Sequence, residues 1–201
     1  GIQSNDDLKI TGGNITVNSV NDGIKGRDSI AVKGGNIVIN AGGDGMQSNK
    51  IDDPEKGYIC IEGGTIRITA GGDGIQAETN LIIGNGNTTI SSGGGSNNGK
   101  SRYTRGYRGM PNSNTGSASI STKGIKSGVD LTINGGTISI DSSDDSLHSG
   151  KSLKIGGGKI TLASGDDALH AKSTIDINDG NINITKSYEG IESAVITLNN
   201  G

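Results

Sequence analysis

The sequence predicts an all-β protein, a right-handed parallel β-helix (solenoid) of 22-residue coils with three short strands each. Three observations carry this. A four-residue word of small, aliphatic, polar and small residues returns eight times, with its aliphatic at Ile2, Ile24, Met46, Ile75, Ile125, Leu147, Leu169 and Ile191. Five of the seven steps are 22 residues, and the other two, 29 and 50, are 22 plus insertions of 7 and 28. A fixed period in this range marks a repeat architecture. Phe and Trp are absent, Tyr occurs four times, and 37 of 201 residues are Gly. That composition fills a globular core poorly but suits stacked rows of aliphatics, each repeat burying its face against the next.

The second repeat shows the elements in order. Ile24 and Gly26 flank Lys25, Ile30 and Val32 flank Ala31, and Ile37 and Ile39 flank Val38. Each is a short period-two strand. Gly34-Gly35 is a turn signal, and Asn40 to Asp44 turn the chain back. The second strand recurs as Leu8/Ile10, Ile59/Ile61, Leu81/Ile83, Leu131/Ile133, Leu153/Ile155 and Ile175/Ile177. The third recurs as Ile15/Val17, Ile66/Ile68, Ile138/Ile140, Ile160/Leu162 and Ile182/Ile184, with one departure at Thr88/Ile90. Stacked about 4.8 Å apart, as neighbouring strands are, these rows bury one another. The expected organisation is one domain over 1–201, with a turn insertion at about 52–58 and a basic loop at about 92–119. The loop carries Lys100, Arg102, Arg105 and Arg108 interleaved with Tyr103 and Tyr107. It reads as a basic surface loop or as one that folds over an acidic ligand, since loops on rigid scaffolds often carry function.

Composition also excludes. A net charge of −3 gives no basic footprint for nucleic acid. No apolar run approaches the ~20 residues of a membrane helix, so no membrane insertion is expected. Residue 1 already lies inside a repeat, and no signal peptide is seen, so the chain is expected to begin within a longer protein. Cys60 is the only cysteine, so no disulfide framework forms; its side chain is expected to point outward from its strand. A monomer is expected.

Stacking turns each alignment position into a row. Between the inward positions of the first strand stand Gln3, Lys25, Gln47, Gln76, Lys126, His148, His170 and Glu192. Such a row suits an extended polymer better than a pocketed ligand, although a plain solvated strand face reads equally well. His148 and His170, one coil apart, raise the thought of a transition metal, for which a third ligand is not obvious beyond Glu192. The corner before this strand reads Asp22, Asp44, Asp73, Lys123, Asp145, Asp167 and Glu189, doubled by Asp144 and Asp166. Asp before Gly is a common turn residue, which accounts for the first three without a ligand. It accounts less well for Asp144-Asp145 and Asp166-Asp167. Two like charges ~5 Å apart repel by roughly 3 kcal/mol at an effective dielectric of 20, so the cluster calls for a cation or strong screening. Hard oxygen ligands point to calcium at Asp144, Asp145, Asp166 and Asp167, with Glu189 or waters completing the shell. A screened acidic corner beside Lys123, Lys151 and Lys172 is the alternative.

The tandem Ser143-Asp144-Asp145-Ser146-Leu147-His148-Ser149 and Gly165-Asp166-Asp167-Ala168-Leu169-His170-Ala171, followed by Ser187-Tyr188-Glu189-Gly190-Ile191-Glu192, resemble a bacterial family of carbohydrate-binding β-helix proteins. Gly-Gly turns such as Gly135-Gly136-Thr137-Ile138-Ser139-Ile140 add to the resemblance, which covers nearly the whole chain. It implies secreted or cell-surface proteins that bind plant cell-wall polysaccharide, cellulose or acidic pectic glycan. It also implies a fold similar to family-nine pectate lyases and calcium near Asp144, Asp145, Asp166 and Asp167, with Glu189 and Glu192 possible ligands. Lys123, which interrupts the acidic row, and the basic insertion depart from the family's motif.

The functional expectation is therefore calcium-dependent binding of a plant polysaccharide without catalysis, acidic glycan favoured over cellulose. The candidate glycan contacts are Lys126, His148, His170, Arg102, Tyr103, Arg105 and Tyr107. Cellulose is less favoured because stacking on sugar rings calls for aromatics, and Trp is absent. The runner-up is a pectate-lyase-like enzyme with Lys123 or Lys126 as base. Lys123 sits among carboxylates, which raise a lysine's pKa, the wrong direction for a base. A structural or adhesin repeat with no glycan ligand is the third reading.

Overall fold

A computed structural model of the chain describes residues 1–99 and 121–200. The described residues are all-β apart from one 3-10 turn at Ser96–Asn98. The strands pair in parallel, each with its counterpart in the neighbouring repeat: Ile2 with Ile24, Ile15 with Ile37, and Ile138 with Ile160. Across the two insertions Ser29 pairs with Tyr58, and Leu81 with Leu131. Inward positions are closed to solvent. Ile30, Ile59, Leu81, Leu131, Leu153 and Ile175 are each 0% exposed. At about 1.5–3 kcal/mol for each fully buried aliphatic, these rows supply the main driving force. Among the described residues, no aromatic side chain takes part in the core.

The strands form two sheets. The larger runs from Ile2–Ser4 through Ile24–Gly26, Met46–Ser48, Ile75–Ala77, Ile125–Ser127 and Leu147–Ser149 to Leu169–Ile177. There it doubles back through Ser152–Ile155, Asp130–Ile133, Leu81–Ile83, Tyr58–Ile61 and Ser29–Val32 to Asp7–Ile10, while Ile191–Leu198 pairs with Leu169–Ile177 off this path. The second sheet has seven strands, from Asn181–Lys186 to Asn14–Ser19.

This topology corrects the expected right-handed parallel β-helix of three-stranded 22-residue coils. The strands join into two parallel sheets rather than three separate stacks, and the larger turns back on itself in a barrel-like arrangement. The two runs join at the last corner. Ala171 pairs with Ser193 but Thr174 pairs with Val195, so the last repeat is one residue shorter there. Leu169–Ile177 stays extended through the corner as one nine-residue strand and fuses two runs of strands into one sheet.

The second residue of the Gly-Gly turns needs a left-handed backbone; Gly136 has φ 90°. The first Gly of the recurring word is needed for space instead. A Cβ on Gly124 would lie against Ile140 Cγ2 and 2.6 Å from the Ser146 carbonyl oxygen. One repeat on, Ser146 occupies the place of Gly124, and Leu162, which pairs with Ile140, lacks the branch at Cβ. Gly124→Ala is therefore expected to destabilise by about 1–3 kcal/mol through overpacking, and Ile140→Leu to recover part of that loss. Gly12→Ala, with nothing within 4 Å of the added carbon, is expected to stay within about 0.5 kcal/mol of the parent in denaturant titration.

Candidate functional site

The three-residue strands place the outward row side by side. Gln76 pairs with Lys126, Lys126 with His148, His148 with His170, and His170 with Glu192. Lys126, His148 and His170 are half-buried, and Glu192 is exposed. The imidazoles of His148 and His170 stack with centroids 4.9 Å apart and planes 6° from parallel.

The corner carboxylates of Asp22, Asp44, Asp73 and Asp145 each do two jobs. One oxygen accepts the backbone N–H of the next corner: Asp22 Oδ1 from Asp44 N at 3.1 Å, Asp44 Oδ1 from Asp73 N at 2.8 Å, Asp73 Oδ1 from Lys123 N at 2.7 Å, and Asp145 Oδ1 from Asp167 N at 3.2 Å. The other oxygen holds a side chain of the outward row. Gln47 Nε2 donates to Asp44 Oδ2 at 2.7 Å, Lys126 Nζ lies 3.4 Å from Asp73 Oδ2, and His148 Nδ1 lies 2.8 Å from Asp145 Oδ2. The ladder breaks at Lys123, which has no carboxylate to offer. There Asp144 fills in, its Oδ1 accepting Asp145 N at 2.9 Å. The doubled aspartate thus has a structural role of its own.

The predicted metal ligands separate into two groups. Asp144, Asp145 and Asp166 bring carboxylate oxygens within 4.8 Å of one another. Asp167, His170 and Glu192 form the second group. Asp166 joins the first group and Asp167 the second, so the four aspartates do not converge on one point. The side chain of Glu189 belongs to neither group. Lys123 reaches into the first, with Nζ 2.9 Å from Asp144 Oδ1 and 3.0 Å from Asp145 Oδ2. Sequence reasoning placed Lys123 near the corner without showing that it bridges both aspartates. It also missed the Asp-x-x-His spacing of Asp145/His148 and Asp167/His170, the signal that pairs each histidine with its carboxylate. Arg102, Tyr103, Arg105 and Tyr107 lie outside the described residues.

The environments push equivalent groups apart. Burial works to raise the Asp145 pKa, but the hydrogen bond with His148, the Lys123 charge and hydrogen bond, and the Asp167 N–H bring it down to about 2. Burial pushes Asp167 up to about 7, helped by the facing Glu192 and opposed by His170. Burial works to lower the Lys123 pKa, but Asp145 and Asp144 outweigh it and raise it.

A family model described as carbohydrate-binding domain-containing protein matches residues 1–168, and the chain belongs to that family. No curated protein and no solved structure matches it.

Because the folded pKa of Asp145 lies below its unfolded value, its contribution to stability is present above about pH 4 and is lost as pH falls toward 2. Asp145→Asn is expected to lower stability at neutral pH and to flatten this acid limb. Melting temperatures followed from neutral pH into acid, variant against parent, check it; parallel curves would contradict it.

Proposed function

We propose that this member of the carbohydrate-binding domain family binds an acidic plant cell-wall polysaccharide, pectic rather than cellulosic, along the outward row centred on Lys126, His148 and His170. The observation that carries the reading is that row. Half-exposed nitrogen donors stand in register on successive strands, held in place by carboxylates beneath them. A linear polymer with a repeating hydroxyl and carboxylate pattern suits such a row, and a compact ligand does not. Stacking on cellulose finds little support. Of the tyrosines among the described residues, Tyr58 lies on a second-strand position and Tyr188 follows the last doubled corner, both off the row. Extracellular or cell-surface placement accords with a wall polymer as partner.

Binding without cleavage is the favoured form. A lyase needs a base to take the proton beside the uronate carboxylate; of the two candidates, Lys126 is ion-paired with Asp73, and Lys123 has its pKa raised by two ion-paired aspartates. A raised pKa keeps it protonated.

Calcium is proposed at Asp144, Asp145 and Asp166. Oxygens within 4.8 Å of one another suit an ion that takes ligands at about 2.3–2.6 Å on all sides. Lys123 already lies between two of them, so calcium must displace its ammonium. Affinity in the weak range of extracellular modules, about 10⁻⁴–10⁻³ M, follows. Lys123→Ala is expected to tighten calcium binding in calorimetry, since it removes the competing cation. Unchanged or weaker binding would rule the site out.

The glycan reading is tested by removing charge while keeping the donors that the buried carboxylates need. Alanine is unsuitable, because Lys126 and His148 satisfy Asp73 and Asp145, which are 1% and 4% exposed. Gln47 already performs this task by donating to Asp44. A triple Lys126→Gln, His148→Gln, His170→Gln variant should keep its melting temperature within a few degrees. A hydrogen bond to a charged group is worth about 1.5–3 kcal/mol, so its polygalacturonate affinity should fall by at least ~10-fold. Equal retention by parent and variant in affinity electrophoresis would move the binding face elsewhere.

A further inference from the structure

We propose that Asp167, His170 and Glu192 form a binding site for a divalent transition ion of the zinc class, separate from the Asp144, Asp145 and Asp166 group. His170 Nδ1 lies 3.3 Å from Asp167 Oδ2 and 3.0 Å from Glu192 Oε2. Bonds of about 2.0–2.1 Å in a tetrahedral site put neighbouring donors roughly 3.3 Å apart. His170 and Glu192 pair on adjacent strands, Asp167 stands in the corner just before His170's strand, and the three offer ligand atoms within 4.8 Å of one another.

The donor count points the same way. One imidazole nitrogen carries at most one proton, so it cannot donate a full hydrogen bond to two carboxylates at once. Asp167 is 3% exposed, and its Oδ1, on the carboxylate whose other oxygen faces His170, has no hydrogen-bond partner. At Asp145 the equivalent oxygen is satisfied by the N–H of Asp167, and Lys123 adds a fixed cation. Among the described residues, no lysine or arginine pairs with Asp167 or Glu192; the ion-pair partner of both is His170. Two carboxylates thus face one ring nitrogen with no resident cation between them.

The ligand chemistry selects the ion. Calcium takes oxygen ligands, whereas imidazole with carboxylates suits zinc, copper and nickel. Three protein ligands leave a position open, which Glu192, at the exposed side, leaves in contact with solvent. His148 supports the site without joining it. Its Nδ1 is taken by Asp145 at 2.8 Å, and its ring lies flat against His170.

The test uses the full chain, stripped with chelator and dialysed, then titrated at neutral pH with zinc by calorimetry and with cobalt(II) by visible absorption. The expected result is saturable binding, a cobalt band of low-symmetry nitrogen and oxygen coordination, and no displacement by excess calcium. Losing a direct ligand should cost more than the ~10–100-fold that losing a ligand's own hydrogen-bond partner costs. His170→Ala and Glu192→Gln should each show this loss. Glu192 is exposed, so Glu192→Gln keeps the test valid if His170→Ala folds poorly. Asp144→Asn should leave zinc affinity unchanged. Absence of the cobalt band, displacement by calcium, or binding retained in Glu192→Gln but lost in Asp144→Asn would overturn the proposal.

Discussion

Everything in this molecule depends on register. Parallel pairing brings each residue beside its counterpart in the next repeat, so one position in the sequence becomes a continuous row in space. An inward row is apolar for most of its length, and a polar member is tolerated where it finds a partner, as Ser149, 0% exposed, does by donating to the Val129 and Ser152 carbonyl oxygens. An outward row repeats whatever chemistry the position carries. The molecule gains a functional face at no cost to its core, since inward and outward positions alternate along the same strands.

The corner is where the two demands meet. The chain must turn, and the turn must leave its N–H groups bonded. Aspartate meets both needs, with one oxygen for the next corner's N–H and one for the outward side chain. A cost accompanies the solution, since stacked carboxylates repel. Lys123 offsets that repulsion in the middle of the row by pairing with Asp144 and Asp145. One repeat further on, no lysine among the described residues does so for Asp167, and the burden falls on His170. The unequal pKa values of Asp145 and Asp167 follow from their surroundings: at Asp145 burial is outweighed by His148, Lys123 and the Asp167 N–H, and at Asp167 burial prevails with help from the facing Glu192.

Much of this could be read from the sequence. The inward rows follow from alternation, and the outward row from Gln3 to Glu192 follows from the repeat. The joining of strands into two sheets could not be read. It rests on Leu169–Ile177 running as one strand through the last corner, where the periodic pattern of the sequence is unchanged. The acidic corner was legible as a cluster but not as two groups. Adjacent aspartates look like partners on paper, yet Asp166 and Asp167 fall in different groups, while residues three apart, Asp167 and His170, converge around the corner. Spacing along the chain misled where side-chain direction decided.

The same geometry constrains how an acidic polymer approaches. Lys126 and His148 are pinned by carboxylates, which lowers the entropy lost when they contact a ligand. Those carboxylates also cancel much of their charge. A uronate chain laid on the row meets donors in front and negative groups just behind. A cation at the corner changes that balance, because it neutralises the carboxylates and frees the row to act as a positive surface. If both proposed sites are filled, metal and acidic glycan bind as linked ligands, each raising the affinity of the other by the same factor. On this reading the corner sets the strength of the glycan face, and the ion held there governs whether the face accepts an acidic chain.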